Sequence, residues 1–166
     1  MAKKPYKLDK VAIRMVKERP LLSSTPVNTP ESVARLVHEF IKDYDREIFA
    51  VVNFQNNLQP INLNIISIGA LTASIAHPRE ILKSTVLSNA AAVMLIHNHP
   101  SGQLSPSNED RAVTAKMAEL FRLMEVQFVD HIILGPGDGY YSFHENCEKS
   151  LNGEMPAVKK DRGMER

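Results

Sequence analysis

The sequence predicts a layered α/β domain, and three observations carry that expectation. Short apolar runs bounded by turn residues alternate with stretches whose apolar residues recur at helical spacing. Two of the apolar runs, 47–54 and 59–68, are joined by a short connection whose Gln55-Asn56-Asn57 reads as a turn, and so suggest a hairpin. Two later runs, 91–96 and 127–134, flank an amphipathic stretch, which gives strand, helix, strand. With 166 residues the chain suits one domain with a proper core.

Each element has its own signal. Residues 1–10 read as a loose arm, and Val11, Ile13 and Met15 (or Val16) alternate as an edge strand does. Residues 19–28 are a loop broken by Pro20 and Pro26, so 1–28 form an N-terminal arm. Thr29-Pro30-Glu31 opens the first helix, with Thr as cap and Pro at the first helical position. Val33, Leu36, Val37, Phe40 and Ile41 then share one face, and 43–46 close the helix. After the hairpin and a connection at 69–76, His77-Pro78-Arg79-Glu80 starts a second helix reaching about Asn89.

Residues 91–96 are continuously apolar, as in a buried strand. Residues 100–106 are a turn-rich loop. A third helix carries Val113, Met117, Leu120, Phe121 and Met124 on one stripe. The strand at 127–134, a glycine-rich turn at 135–139 and a short strand at 140–142 follow, and 143–150 read as a small terminal helix. The domain is thus 29–150. Residues 151–166 are polar and aperiodic, and are expected to be disordered.

Composition narrows the function. Hydrophobic residues at 43% and charged residues at 23% are ordinary for a globular protein. A formal net charge of +1 gives no global electrostatic case for nucleic-acid binding. The absence of Trp weakens any stacking platform for single strands. The one cysteine, Cys147, excludes an internal disulfide and a Cys-rich metal cluster. Residues 1–10 lack the apolar core of a signal peptide, and the longest apolar stretch, 90–96, is too short to span a bilayer. A cytoplasmic protein without a membrane span is expected.

The chemistry lies in residues 96–110. His97 and His99 end the apolar strand, and side chains two apart on a strand share a face, so both imidazoles project together while Asn98 points away. The loop then turns the chain back, and Asp110 falls in the first turn of the next helix, facing them. Two imidazoles and a carboxylate form a three-ligand set for Zn2+, with a fourth position for water. Ordinary polar residues at a strand end could also read His-x-His. Ser107-x-x-Asp110 is also close to a capping box, a role compatible with ligation.

His97-x-His99, ten residues, then Asp110, with Ser107 three before it, resembles the JAMM metalloprotease signature. The blocks at 77–80 (His-Pro-Arg-Glu), 97–102 (His-Asn-His-Pro-Ser-Gly) and 106–110 (Pro-Ser-Asn-Glu-Asp) resemble its RadC-like branch. The resemblance covers roughly 29–143 and implies a JAB/MPN domain: a mixed sheet with helices on both faces, similar to the cytidine-deaminase architecture. It implies a zinc hydrolase acting on a peptide, isopeptide or related amide bond. It also implies Glu47, at the head of an early strand, as general base, with Ser107 as oxyanion partner in addition to its cap.

Other readings were weighed. A zinc deaminase needs His-x-Glu and Pro-Cys-x-x-Cys, which are absent. An HNH nuclease spreads its signature along the chain, whereas this triplet is contiguous. Intact His97, His99, Ser107 and Asp110 argue against a degenerate scaffold. RadC-like proteins were named for DNA repair, and an accessory role in DNA repair or mobile-element DNA metabolism is the alternative. Longer members carry an N-terminal region resembling a helix-hairpin-helix module. Residues 1–28 are too short and irregular for one, so DNA binding is expected to be weak. His77 reads as a boundary residue and His38 as a partly buried packing residue. His131 and His144 lack metal-ligand spacing.

Overall fold

The computed structural model describes residues 12, 15–18, 21–22, 26–41, 44, 46–69, 77–99 and 101–155. Helix α1 (Pro30–Ile41) precedes a hairpin of β1 (Ile48–Phe54) and β2 (Pro60–Ile68). Then come α2 (Pro78–Leu87), β3 (Ala92–Asn98), α3 (Asn108–Leu123), β4 (Gln127–Leu134) and β5 (Tyr140–Ser142). The sheet order is β2-β1-β3-β4-β5. Only β3 and β4 run parallel, as a crossover through α3 requires; β1 is antiparallel to both β2 and β3, and β4 to β5.

β1 is buried along its whole length, which is why its sequence is apolar on both faces, Asn53 excepted, rather than alternating. Its two faces serve two cores. Ile48, Val52 and Phe54 pack with Met94, Ile96, Ile132 and Leu134 under Val33, Val37 and Ile41 of α1. Phe49 and Val51 pack with Val93 and Leu95 under Ile81 of α2 and Met117 and Phe121 of α3. Helices therefore cover both faces of a mixed sheet. The core is complete without the polar groups gathered at one end of β3.

Two expectations change. Residues 143–150 do not form an α-helix: 143–147 are turns, and a 3-10 helix runs over Lys149–Asn152, ending at Gly153 in a left-handed conformation. The stretch lacks an apolar stripe at helical spacing, and Cys147 at φ 53 breaks any continuous helix. The first residues of the expected disordered tail thus belong to this 3-10 helix, and 156–166 lie outside the described residues, as do 1–10. Val11 and Ile13 of the expected edge strand also lie outside them, while 15–18 have no regular structure.

Candidate metal centre

The centre forms where the end of β3, the start of β1 and the N-terminus of α3 meet. Phe49 pairs with His97 across the antiparallel β1–β3 ladder. One further step of two residues brings Glu47 level with His99, and the period of two keeps all four side chains on the α3 face. His99 lies just past the strand, yet its amide donates to Leu134 O at 3.0 Å, so β4 guides the chain through the second histidine. Asn98 projects to the other face. Its Oδ1 accepts from Ile48 N at 2.6 Å and its Nδ2 donates to Arg46 O at 3.1 Å. The middle residue of the His-x-His triplet thus ties down the backbone on both sides of Glu47.

Asp110 is placed by the start of α3. Ser107 Oγ accepts from Asp110 N at 3.0 Å, and Asp110 Oδ2 accepts from Ser107 N at 2.7 Å, a complete capping box. The Ser107 hydroxyl also donates to Oδ2 at 2.6 Å. Oδ1 is left facing the histidines. Arg111 fixes the same turn through two bonds to the Glu148 carboxylate, at 3.1 and 2.7 Å, and one to Pro106 O at 2.8 Å.

The ligand atoms converge. His97 Nε2 and His99 Nε2 are 3.0 Å apart. Asp110 Oδ1 lies 3.2 Å from the first and Oδ2 3.6 Å from the second. A tetrahedral ion with bonds of about 2.0–2.2 Å spaces its ligand atoms about 3.3–3.6 Å apart, so the two imidazoles and Asp110 stand near coordination spacing. Glu47 also offers an oxygen: its ligand atom and those of His97 and His99 all lie within 4.8 Å of one another. Both Glu47 carboxylate oxygens are buried without a hydrogen-bond partner among the described residues, which is costly unless a cation or a bound molecule completes the site.

The donor set therefore fits a divalent metal. His99 Nδ1 faces Gln103 O at 2.5 Å, and a carbonyl only accepts, so Nδ1 carries a proton. In a neutral His99 ring this leaves Nε2 bare for ligation. Both Nε2 atoms face the Asp110 carboxylate. Asp110 accordingly raises the His99 imidazole above its ordinary pKa against the effect of burial, and burial pushes His97 down.

The two carboxylates are driven apart. Burial pushes Asp110 up, but His97, His99 and the Ser107 hydroxyl outweigh it and hold that carboxyl well below the usual range. Burial pushes Glu47 up to about 7, with His99 opposing and Asp110 adding to the rise. Asp110 thus stays ionised while Glu47 titrates near neutrality, so the two carboxyls differ widely in proton affinity.

Metal-free stability should follow. The folded Glu47 carboxyl holds its proton up to about 7 against an ordinary 4.5, so its contribution is fully present below about 4.5 and is lost as pH rises through about 7. Urea unfolding of the chelated chain at pH 5 and pH 8 should show a larger loss for wild type than for Glu47→Gln. Parallel losses would remove Glu47 as the group responsible.

Glu47, His97, His99, Ser107 and Asp110 are all brought together. His77 is the N-cap of α2, accepting from Arg79 N at 3.4 Å, and His38 is half-buried on α1. The sequence reading missed His131. It is fully buried on β4, with Nε2 2.9 Å from His97 Nδ1. Metal-ligand spacing could not find it, because it is not at ligand position. The parallel pairing of its strand with β3 could have done so, since that pairing sets His131 opposite Leu95, on the same face as His97 and two residues from it in register.

Comparison with known proteins agrees with this geometry. Residues 27–149 match the family model described as RadC-like JAB domain. A UPF0758 protein of Rubrobacter xylanophilus is 41% identical over 128 residues, covering 77% of this chain and 53% of the relative. A UPF0758 protein of Haemophilus influenzae is 39% identical over 127 residues, covering 76% and 57% respectively. One of Moorella thermoacetica is 39% identical over 116 residues, covering 70% and 51%. The chain thus spans about half the length of the curated relatives it matches.

Proposed function

The chain belongs to the RadC-like JAB domain family, and we propose that it is a zinc-dependent hydrolase of JAMM type acting on a peptide, isopeptide or related amide bond. The observation that carries this reading is the convergence of the His97 and His99 Nε2 atoms on the Asp110 carboxylate, with both buried Glu47 oxygens beside them lacking a hydrogen-bond partner among the described residues. Matched to that chemistry, the substrate is a protein or peptide rather than nucleic acid.

His97, His99 and Asp110 would hold the metal. When bound, zinc makes a water nucleophilic near neutral pH and polarises a substrate carbonyl. Glu47 accepts the proton of the attacking water on a carboxylate oxygen and returns it to the leaving amine nitrogen. Asn98 keeps that carboxylate in place through the backbone it brackets. Ser107 gives its only proton to Asp110 Oδ2; to serve as oxyanion donor it turns that hydroxyl toward the carbonyl oxygen of the substrate. His99, with 15% of its side chain exposed, marks the open side of the centre, while His97 is fully enclosed. No helix among the described residues is long and apolar enough to cross a membrane. One free cysteine needs no oxidising compartment, which supports a cytoplasmic setting.

A panel of fluorogenic peptide and isopeptide substrates tests the reading. Turnover should be present in the zinc-loaded chain, vanish on chelation and return with added zinc. Full activity after verified metal removal would overturn it. A zinc-loaded chain inactive across the panel would favour the accessory role in DNA metabolism.

A further inference from the structure

A chain of hydrogen bonds runs from α3 through β4 to the buried ligand. Thr114 Oγ1 lies 2.6 Å from Asp110 O and 2.6 Å from His131 Nδ1, and His131 Nε2 lies 2.9 Å from His97 Nδ1. The proton positions along it follow from what each atom can do. Asp110 O is a carbonyl and only accepts, so the single Thr114 hydroxyl proton points at it. Thr114 Oγ1 then has only lone pairs to offer His131, so Nδ1 of His131 carries a proton.

Whether His131 carries a second proton is settled by its surroundings. The ring is fully buried, stacked on Phe143 at 4.8 Å and 20° and tilted against Phe49 at 5.6 Å. Its two nitrogens are spent on Thr114 and His97, so no carboxylate bonds to the ring, and burial outweighs the attraction of the Asp110 carboxylate. A buried imidazolium in such a setting is strongly disfavoured. His131 is neutral, and its Nε2 is a bare acceptor. The proton between the two rings therefore belongs to His97 Nδ1. His97 is buried as well, lies parallel to Phe49 at 5.8 Å and 8°, and has both ring nitrogens engaged, Nδ1 by His131 and Nε2 by His99 and Asp110.

We propose that His131 and Thr114 are positioning residues that fix His97 as its Nδ1–H tautomer, aiming the bare Nε2 at His99 and Asp110. The inference rests on the metal reading above and extends it to two residues that touch neither metal nor substrate. It also accounts for two fully buried polar side chains, Thr114 and His131, next to the His97 ring. Removing Thr114 Oγ1 takes away the acceptor that His131 Nδ1–H has among the described residues. His131 would then favour its other tautomer and donate through Nε2, so that His97 becomes the acceptor and carries its proton on Nε2, where the metal has to bind.

Two readouts test this without any substrate. The first is the nitrogen-15 spectrum of the histidine rings in the intact, metal-free chain at pH 8. It should show His97 protonated at Nδ1; protonation at Nε2 instead overturns the inference directly. The second is zinc affinity, measured by competition with a chromophoric chelator, for wild type, His131→Phe, His131→Gln and Thr114→Val, each checked for fold by circular dichroism. His131→Phe keeps the aromatic packing but loses the acceptor, and should bind zinc about 10–100-fold more weakly. Thr114→Val should weaken binding in the same direction. His131→Gln can place its carbonyl oxygen where Nε2 was, and should stay within about threefold of wild type. If His131→Phe does not fold, the spectrum and the contrast of Thr114→Val with His131→Gln decide. Equal affinity across all four proteins overturns this inference alone, whereas a wild-type chain that takes up no zinc overturns the metal reading with it.

Discussion

Glu47→Gln should take up zinc as wild type does and lose amide hydrolysis by about a hundredfold or more, the scale expected when a general base is removed. The substitution keeps the shape of the side chain and removes only its capacity to accept a proton. Two structural facts make the selectivity expected. Glu47 heads β1, bracketed by the Asn98 amide, so its backbone does not depend on the carboxylate. Its oxygens make no hydrogen bond that the amide would break. A change in kcat with metal content unaltered is the signature of the base. Loss of zinc from Glu47→Gln would instead make Glu47 a ligand, and undiminished turnover would remove it from the reaction.

The paired substitution His97→Ala, His99→Ala should reduce bound zinc from about one equivalent, the stoichiometry of a single three-ligand site, to background in elemental analysis. The fold should persist, because both hydrophobic clusters are assembled from residues other than the two histidines. This differs from a zinc finger, whose folding energy comes from the ion. Far-UV circular dichroism of the variant, and of wild type treated with EDTA, should therefore stay close to that of the loaded protein. Zinc retained by the double variant would show that the ion sits elsewhere. Collapse of secondary structure on chelation would show the centre to be structural.

Much of this arrangement was legible in the residues. The apolar stripe of α1, the apolar runs of β1 and β3, and the His-Pro and Ser-x-x-Asp helix starts each carry a local signal, and each element appears where it was expected. The grouping of His97, His99 and Asp110 was legible for the same reason: a strand period places His97 beside His99, and a capping box places Asp110 in the first turn. The role of Glu47 came only from family resemblance, since nothing in its spacing from His97 encodes the β1–β3 pairing that sets it opposite His99. Asn98 was read only as pointing away, because the backbone it clamps is 50 residues distant. His131 was passed over because its role depends on the parallel alignment of β3 and β4, a long-range choice that leaves no local mark. The small terminal helix expected over 143–150 stands later and is shorter: 143–147 are turns with a left-handed Cys147, and a 3-10 helix runs over Lys149–Asn152.

The central claim is a division of labour: His97, His99 and Asp110 bind the ion, and Glu47 stays off it to handle protons. Anomalous diffraction from a crystal of the zinc-loaded chain, collected at the zinc edge, tests this most directly. The peak should lie within about 2.0–2.2 Å of His97 Nε2, His99 Nε2 and an Asp110 carboxylate oxygen, with the Glu47 carboxylate outside bonding distance. A peak bonded to Glu47 in place of Asp110, or one away from the two histidines, would contradict the account.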